Sequence, residues 1–148
     1  MGFEGFPFIV GWELTLACNL SCRHCASAAG RPRPRELTLD EALGLCGQLP
    51  ALAVQEVDFT GGEPLVREDW WRIAERLREL EITTRMVTNG LLLTPATVER
   101  MKAVGLATVA VSIDGVAEVH DRIRNSAGLF RRVLAGMARV SAAGVRLS

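Results

Sequence analysis

The spacing of apolar positions along the chain switches repeatedly between a period of two and a period of three to four. Residues 8–17 place Trp12, Leu14 and Leu16 on one face and Glu13 and Thr15 on the other, the alternation of a half-buried strand. After an extended Arg-Pro-Arg-Pro-Arg loop at 31–35, Thr38 and Glu41 form a Thr-x-x-Glu capping box, and Leu39, Ala42, Leu43, Cys46 and Leu49 then recur at helical spacing. A second strand over 55–60 runs into Gly61-Gly62-Glu63-Pro64, and Trp70, Ile73, Ala74, Leu77 and Leu80 stripe the helix that follows. Residues 82–90 predict a third strand, Thr94 and Pro95 start a third helix, and residues 107–115 predict a fourth strand. Phe130, Val133, Leu134, Met137 and Val140 mark a long fourth helix, and residues 145–148 open a fifth strand.

Strands alternating with helices of this length predict an α/β fold with a parallel sheet and right-handed crossovers. The strand faces choose between an open sheet and a barrel. In strand four, Val109, Val111 and Ile113 share one face while Thr108, Ala110, Ser112 and Asp114 share the other; in strand two, Val57 and Phe59 oppose Asp58 and Thr60. A doubly wound sheet is covered by helices on both faces and reads apolar throughout, and an eight-fold barrel fills its lumen with branched apolar side chains. A polar face on several strands instead predicts a partial or wide barrel whose interior holds a ligand. No linker or low-complexity segment divides the chain, and the only repetition is the strand-helix unit.

The composition fits one globular core: 148 residues, 49% hydrophobic and 23% charged. Seventeen basic residues balance 17 acidic ones, so no net positive charge points to nucleic acid or to an anionic membrane. Peptides or small molecules are the expected partners. No apolar run approaches the ~20 residues of a membrane span, and the apolar first seventeen residues carry Glu4 and Glu13 without a basic leader. The expected location is the cytoplasm.

Cys18, Cys22 and Cys25 follow the first strand with the spacing Cys-x3-Cys-x2-Cys. Without an export signal, clustered cysteines point to metal or redox chemistry rather than a disulfide framework. Three thiolates on one loop can wrap one side of an iron–sulfur cube, leaving its fourth iron open to a substrate or cofactor. The alternative is a zinc site completed by His24 or a remote residue, although structural zinc typically uses paired cysteine knuckles and His24 directly precedes Cys25. Cys46 lies on the apolar stripe of the first helix and reads as a buried thiol, as Trp70 reads as core. Glu13, Asp58 and Asp114 are lumen carboxylates that could act as bases or substrate ligands, or simply bond to their neighbours.

The three cysteines, with Gly-Gly-Glu-Pro at the end of the second strand, resemble the motifs of the radical S-adenosylmethionine (SAM) enzymes. The resemblance spans nearly the whole chain. It implies a 4Fe-4S cluster on Cys18, Cys22 and Cys25, whose open iron is chelated by the amino and carboxylate groups of SAM. An electron from a donor such as a flavodoxin or ferredoxin then cleaves the sulfonium, and the 5'-deoxyadenosyl radical abstracts hydrogen from substrate. By the same resemblance, Gly61, Gly62, Glu63 and Pro64 bind SAM, with the glycines allowing close backbone approach and Glu63 accepting from its amino group. His24 takes the position near adenine. Ser-Ile-Asp-Gly at 112–115 followed by His120 to Arg124 resembles a pattern of the subgroup that matures peptides and proteins, where Ser112 and Arg124 contact SAM. Thr88-Asn89-Gly90 ends the third strand at the same rim. The family core has six strand-helix units, so the resemblance implies a partial (β/α)6 TIM-like barrel over residues 1–148, truncated after about four units. A cysteine-rich C-terminal extension of the SPASM type would lie beyond it. The implied substrate is a ribosomal peptide or protein side chain; related enzymes act on tetrapyrrole precursors, and a non-catalytic iron–sulfur or zinc module is the reading from another class.

Overall fold

The computed structural model describes residues 8–148, so Glu4 and the reading of the first seven residues lie outside it. Four strands, β1 (Phe8–Thr15), β2 (Val54–Gly61), β3 (Thr83–Thr88) and β4 (Thr108–Val111), form one parallel sheet in the order β1-β2-β3-β4. The helices are α1 (Leu39–Cys46), α2 (Trp70–Glu79), α3 (Pro95–Val104), α4 (Ala117–Ile123) and α5 (Leu129–Ala142). Spatial order follows sequence order without the reversal that sends helices to the second face of a doubly wound sheet. Crossovers of one hand then stack the helices on one face, and the sheet is a sector of a barrel. The fifth strand also begins: Val109 donates its N–H to the Arg146 carbonyl at 2.8 Å, Ser148 donates to the Val109 carbonyl at 3.1 Å, and Val109 and Leu147 form a parallel bridge.

Local sequence fixes the helix starts. Thr38 Oγ1 accepts the Glu41 N–H at 3.3 Å while Glu41 accepts the Thr38 N–H at 2.8 Å, the reciprocal capping box. Thr94 caps α3 through the Thr97 N–H at 3.2 Å, with Pro95 at the first helical position.

Sheet register sorts the two faces. Trp12, Phe59, Met86 and Val109 align across the four strands on the helix side, and the last three are fully buried with Ile73, Leu77 and Met101. Burying each such side chain is worth about 1.5–3 kcal/mol. Gly11, Asp58, Arg85 and Thr108 align on the opposite side. That face is polar, as the sequence pattern requires. Arg85 pairs with Asp58 at 3.0 Å and also with Glu56, and Glu13 pairs with Arg33, so these carboxylates are neutralised locally.

Two expectations change. The alternation in β1 breaks at its end, where Leu14 and Thr15 are both buried and Leu16 is only half-buried, because the register shifts between Glu13 and Thr15. The fourth strand ends at Val111 rather than running on to residue 115, and the chain beyond it forms the short helix α4, which contains His120 and has Arg124 as its C-terminal cap. Its seven residues are too few for an apolar stripe. Tertiary contacts hold it instead: the buried His120 ring meets Phe130 edge-on at 5.6 Å, and Asp121 accepts the Phe130 N–H at 2.8 Å at the start of α5. The helix marked by Phe130 to Val140 is therefore α5. Among the described residues, no helix is long and apolar enough to cross a membrane.

Candidate cofactor site at the strand ends

Because the strands are parallel, the segments that follow them meet at one rim: the cysteine loop after β1, Gly61 to Pro64 at the end of β2, Thr88 to Gly90 after β3, and Ser112 to Gly115 after β4. Ligands of α/β folds sit at this end of the sheet.

The cysteine loop is tied at its base and flank. Cys18 donates its N–H to the Gly30 carbonyl at 3.2 Å and Gly30 donates to the Leu16 carbonyl at 2.9 Å. Arg23 donates its N–H to the Ile123 carbonyl at 2.9 Å, satisfying a carbonyl at the C-terminal end of α4. Asn125 reaches Ser21 Oγ at 3.2 Å, and Asn89 reaches Asn19 Oδ1 at 2.8 Å. Glu36 anchors the arginine-proline strap by accepting the N–H groups of Leu16 at 2.8 Å and Arg33 at 2.9 Å.

Gly61 and Gly62 permit a close approach within the protein itself. A Cβ on Gly61 would lie 2.3 Å from the Thr15 carbonyl oxygen, and one on Gly62 2.3 Å from that of Ala17. Gly61 also has φ +130°, open to glycine alone in practice. The segment presses against the end of β1 and bonds to it, with Gly62 N–H to the Thr15 carbonyl at 2.8 Å and Glu63 N–H to that of Ala17 at 2.9 Å. Pro64 then opens a short 3-10 turn, Pro64–Val66.

Glu63 has no exposed surface. Its Oε1 accepts from Thr88 Oγ1 at 2.7 Å and from the Leu65 N–H at 3.2 Å, and Oε2 accepts the Asn89 N–H at 2.8 Å. Burial raises its pKa against these three bonds. The carboxylate therefore joins the ends of β2 and β3, and its oxygens are already engaged by the protein.

Asp114 is the charged hub of the rim. Arg124 holds it in two-point contact, His24 Nε2 lies 3.4 Å from Oδ1, and His120 Nδ1 accepts the Asp114 N–H at 3.3 Å. The hydrogen bond from Arg124 holds the Asp114 carboxyl below the ordinary range. Burial keeps His120 neutral by lowering its pKa, and its Nε2 is buried without a partner. Ser112 joins the rim through its backbone, donating to the Thr88 carbonyl at 3.0 Å. The structure thus brings Arg124 and the Gly61–Pro64 segment to the cysteine loop that carries His24, and ties Ser112 to the end of β3 on the same rim. Asp114 and Asn89 are the residues whose importance sequence reasoning understated. Asp114 is ten positions from its partner Arg124, a separation without a helical or strand period, and only the Thr-Asn-Gly strand end hinted at Asn89.

Cys18 and Cys22 are half-buried, Cys25 is exposed, and Cys46 is buried away from them. Burial raises the Cys18 and Cys22 thiols; the Arg124 charge pulls Cys22 back down, and the neighbouring thiols Cys18 and Cys25 push it up. Cys46 is pushed up to about 11 by burial, which makes it a poor thiolate ligand. Among the described residues, no three His, Cys, Asp or Glu side chains gather closely enough to hold a single metal ion. A four-iron cube is larger than an ion and takes ligands set apart, so three thiols spread along a tied loop, with a guanidinium beside them, are a donor set that fits an iron–sulfur cluster.

A parallel barrel sector with three thiols on the loop after its first strand has the geometry of a cofactor site, and the comparison with protein families identifies the class: residues 12–148 match the Radical SAM superfamily, and the chain belongs to it. Its members use a 4Fe-4S cluster and SAM. The chain is 41% identical over 133 residues to the AdoMet-dependent heme synthase of Methanosarcina barkeri, covering 88% of this chain and 38% of that protein. It is 36% identical over 145 residues to the mycofactocin maturase MftC of Mycobacterium tuberculosis, covering 96% of this chain and 37% of that one. The chain thus spans less than two fifths of these relatives. Its fold matches that of Streptococcus suis SuiB bound to S-adenosylmethionine with a TM-score of 0.82 at 21% identity, over 96% of this chain and 33% of SuiB.

Proposed function

We propose that this chain is core-domain sequence, over residues 1–148, of a radical SAM enzyme that modifies a side chain of a ribosomal peptide or protein. The observation that carries the reading is the meeting of the cysteine loop with the Gly61–Pro64 segment and the Asp114–Arg124 pair at one rim. In this reading Cys18, Cys22 and Cys25 ligate the cluster. SAM is bound by Ser112, Arg124, His24 and the Gly61-Gly62-Glu63-Pro64 segment, to which Glu63 contributes through the geometry it fixes. Arg124 offers positive charge toward the thiolates and toward a carboxylate, while Asp114 holds its guanidinium and the His24 ring in place. The bound cluster and SAM supply reductive sulfonium cleavage and hydrogen abstraction. A low-potential donor such as a flavodoxin or ferredoxin provides the electron, and the cytoplasm provides the reduced surroundings that four free cysteines need.

The peptide assignment is supported by the 96% coverage of this chain in its match to a maturase and by the Ser-Ile-Asp-Gly pattern ahead of Arg124. A second reading, a tetrapyrrole precursor as substrate, is supported by the higher identity to the heme synthase, 41%. The test gives the anaerobically reconstituted full-length enzyme SAM, reductant and either a candidate precursor peptide encoded beside it or an iron-porphyrin precursor. A peptide mass change with 5'-deoxyadenosine formation supports the first reading. Turnover of the porphyrin alone replaces it with the second, and failure of any preparation to cleave SAM overturns both.

A further inference from the structure

Asn89 has no assigned role, yet the residue is only 6% exposed and both ends of its amide are engaged. Its Oδ1 accepts the Leu91 N–H at 2.9 Å, which fixes which end of the amide is oxygen and turns Nδ2 toward the cysteine loop. There Nδ2 donates to Asn19 Oδ1 at 2.8 Å and lies in donor geometry 3.8 Å from Cys18 Sγ. Its backbone is held as firmly, since the Asn89 N–H and the Thr88 hydroxyl both bond to the buried Glu63 carboxylate, at 2.8 and 2.7 Å. Gly90 returns its N–H to Thr88 Oγ1 at 3.1 Å and completes the turn.

We propose that Asn89 is a positioning residue for the cluster: its amide, oriented by Leu91 and by Glu63 through Thr88, donates a hydrogen bond to the Cys18 thiolate, fixing that ligand and raising the cluster's reduction potential. This rests on the cluster reading above. A donor on a ligating sulfur withdraws electron density and favours the reduced state, one of the levers by which proteins set iron–sulfur potentials. The arrangement is local to one ligand. Cys25 receives a backbone donor, the Ala29 N–H at 3.3 Å, whereas Cys18 receives a side chain whose position depends on the Gly-Gly-Glu-Pro glutamate. Glu63 thereby acts on the cysteine loop as well as on its own segment.

The test is an EPR-monitored redox titration of the reconstituted full-length protein, with iron content measured on each sample. Asn89→Ala and Asn89→Asp should keep wild-type iron and titrate at more negative potentials, while Asn19→Ala, which leaves the Cys18 bond, should shift less than Asn89→Ala. Wild-type potential in Asn89→Ala with full iron overturns the proposal, as does a shift confined to Asn89→Asp, which would reflect its added charge alone. A wild-type protein that takes up no iron refutes the cluster reading instead. Should the Asn89 variants lose the cluster, wild-type protein carrying asparagine labelled with nitrogen-15 at the side-chain amide decides the matter. Pulsed EPR of the reduced cluster should show a nitrogen-15 coupling that persists in Asn19→Ala, and its absence overturns the proposal.

Discussion

Arg124 grips both carboxylate oxygens of Asp114, Nε to Oδ2 at 2.6 Å and Nη2 to Oδ1 at 3.3 Å, with the two side chains only 9% and 19% exposed. Removing one partner of such a pair strands the other charge in a poorly solvated place. Asp114→Asn should cost about 2–3 kcal/mol, less than the roughly 3–5 of a fully buried pair because Asp114 keeps some contact with water. Urea unfolding of the cluster-free full-length protein measures it, and an unchanged midpoint would show that the pair is solvated. The Asp114 carboxyl is lowered in the folded state by the Arg124 hydrogen bond. Its contribution is therefore fully present above the unfolded value of about 3.9 and is lost as pH falls through the folded one. The gap between wild type and Asp114→Asn should close on acidification.

Glu63 carries the opposite sign. Burial raises its folded pKa, so the protonated form is favoured in the folded protein, and stability is lost as pH rises from the unfolded value of about 4.3 through the folded one. The stability of wild type relative to Glu63→Gln should be greatest in acid and decline toward neutrality. A difference that grows with pH would mean that the bonds from Thr88 and Asn89 outweigh desolvation.

The cysteines should separate by role. Changing Cys18, Cys22 or Cys25 to Ala should abolish a reconstituted cluster of about four irons. Cys46→Ala should keep it, at a packing cost of about 1 kcal/mol or somewhat more. Iron analysis and visible absorption read the outcome, and cluster loss in the Cys46 variant would place that buried thiol among the ligands.

Gly62→Ala should destabilise by about 1–3 kcal/mol, because the new methyl meets backbone, which cannot rotate away. Its Cβ would lie 2.3 Å from the Ala17 oxygen and 2.6 Å from that of Leu16. Gly44→Ala, on α1 with nothing within 4 Å, is the contrasting variant and should be tolerated. Paired thermal melts test this, and equal behaviour of the two would refute the close approach.

Most of the fold was legible because its determinants are local. Period-two and helical spacing gave the strands and helices, and Thr38, Glu41, Thr94 and Pro95 marked helix starts within four residues of their partners. The paired motifs identified the family for the same reason. What the sequence did not reveal depends on contacts distant in the chain. The break in β1 follows from bonds to Gly62 and Glu63, the helix α4 from packing against α5, and the roles of Asp114 and Asn89 from partners on other segments. The spacing of the two glycines reveals a need for closeness, and the structure adds that the end of β1 is one surface they approach.

The parallel bridge between Ala17 and Gly30 closes the cysteine loop at its neck. The chain leaves the sheet and returns through the same narrow point, so the segment between behaves as an insert whose length is uncoupled from the register of β1. Residues could be added or removed between Cys18 and Gly30 without sliding any strand past its neighbour. A change of length there would act on the bonds that tie the loop to Asn89, Ile123 and Asn125, and not on the pairing of the barrel wall.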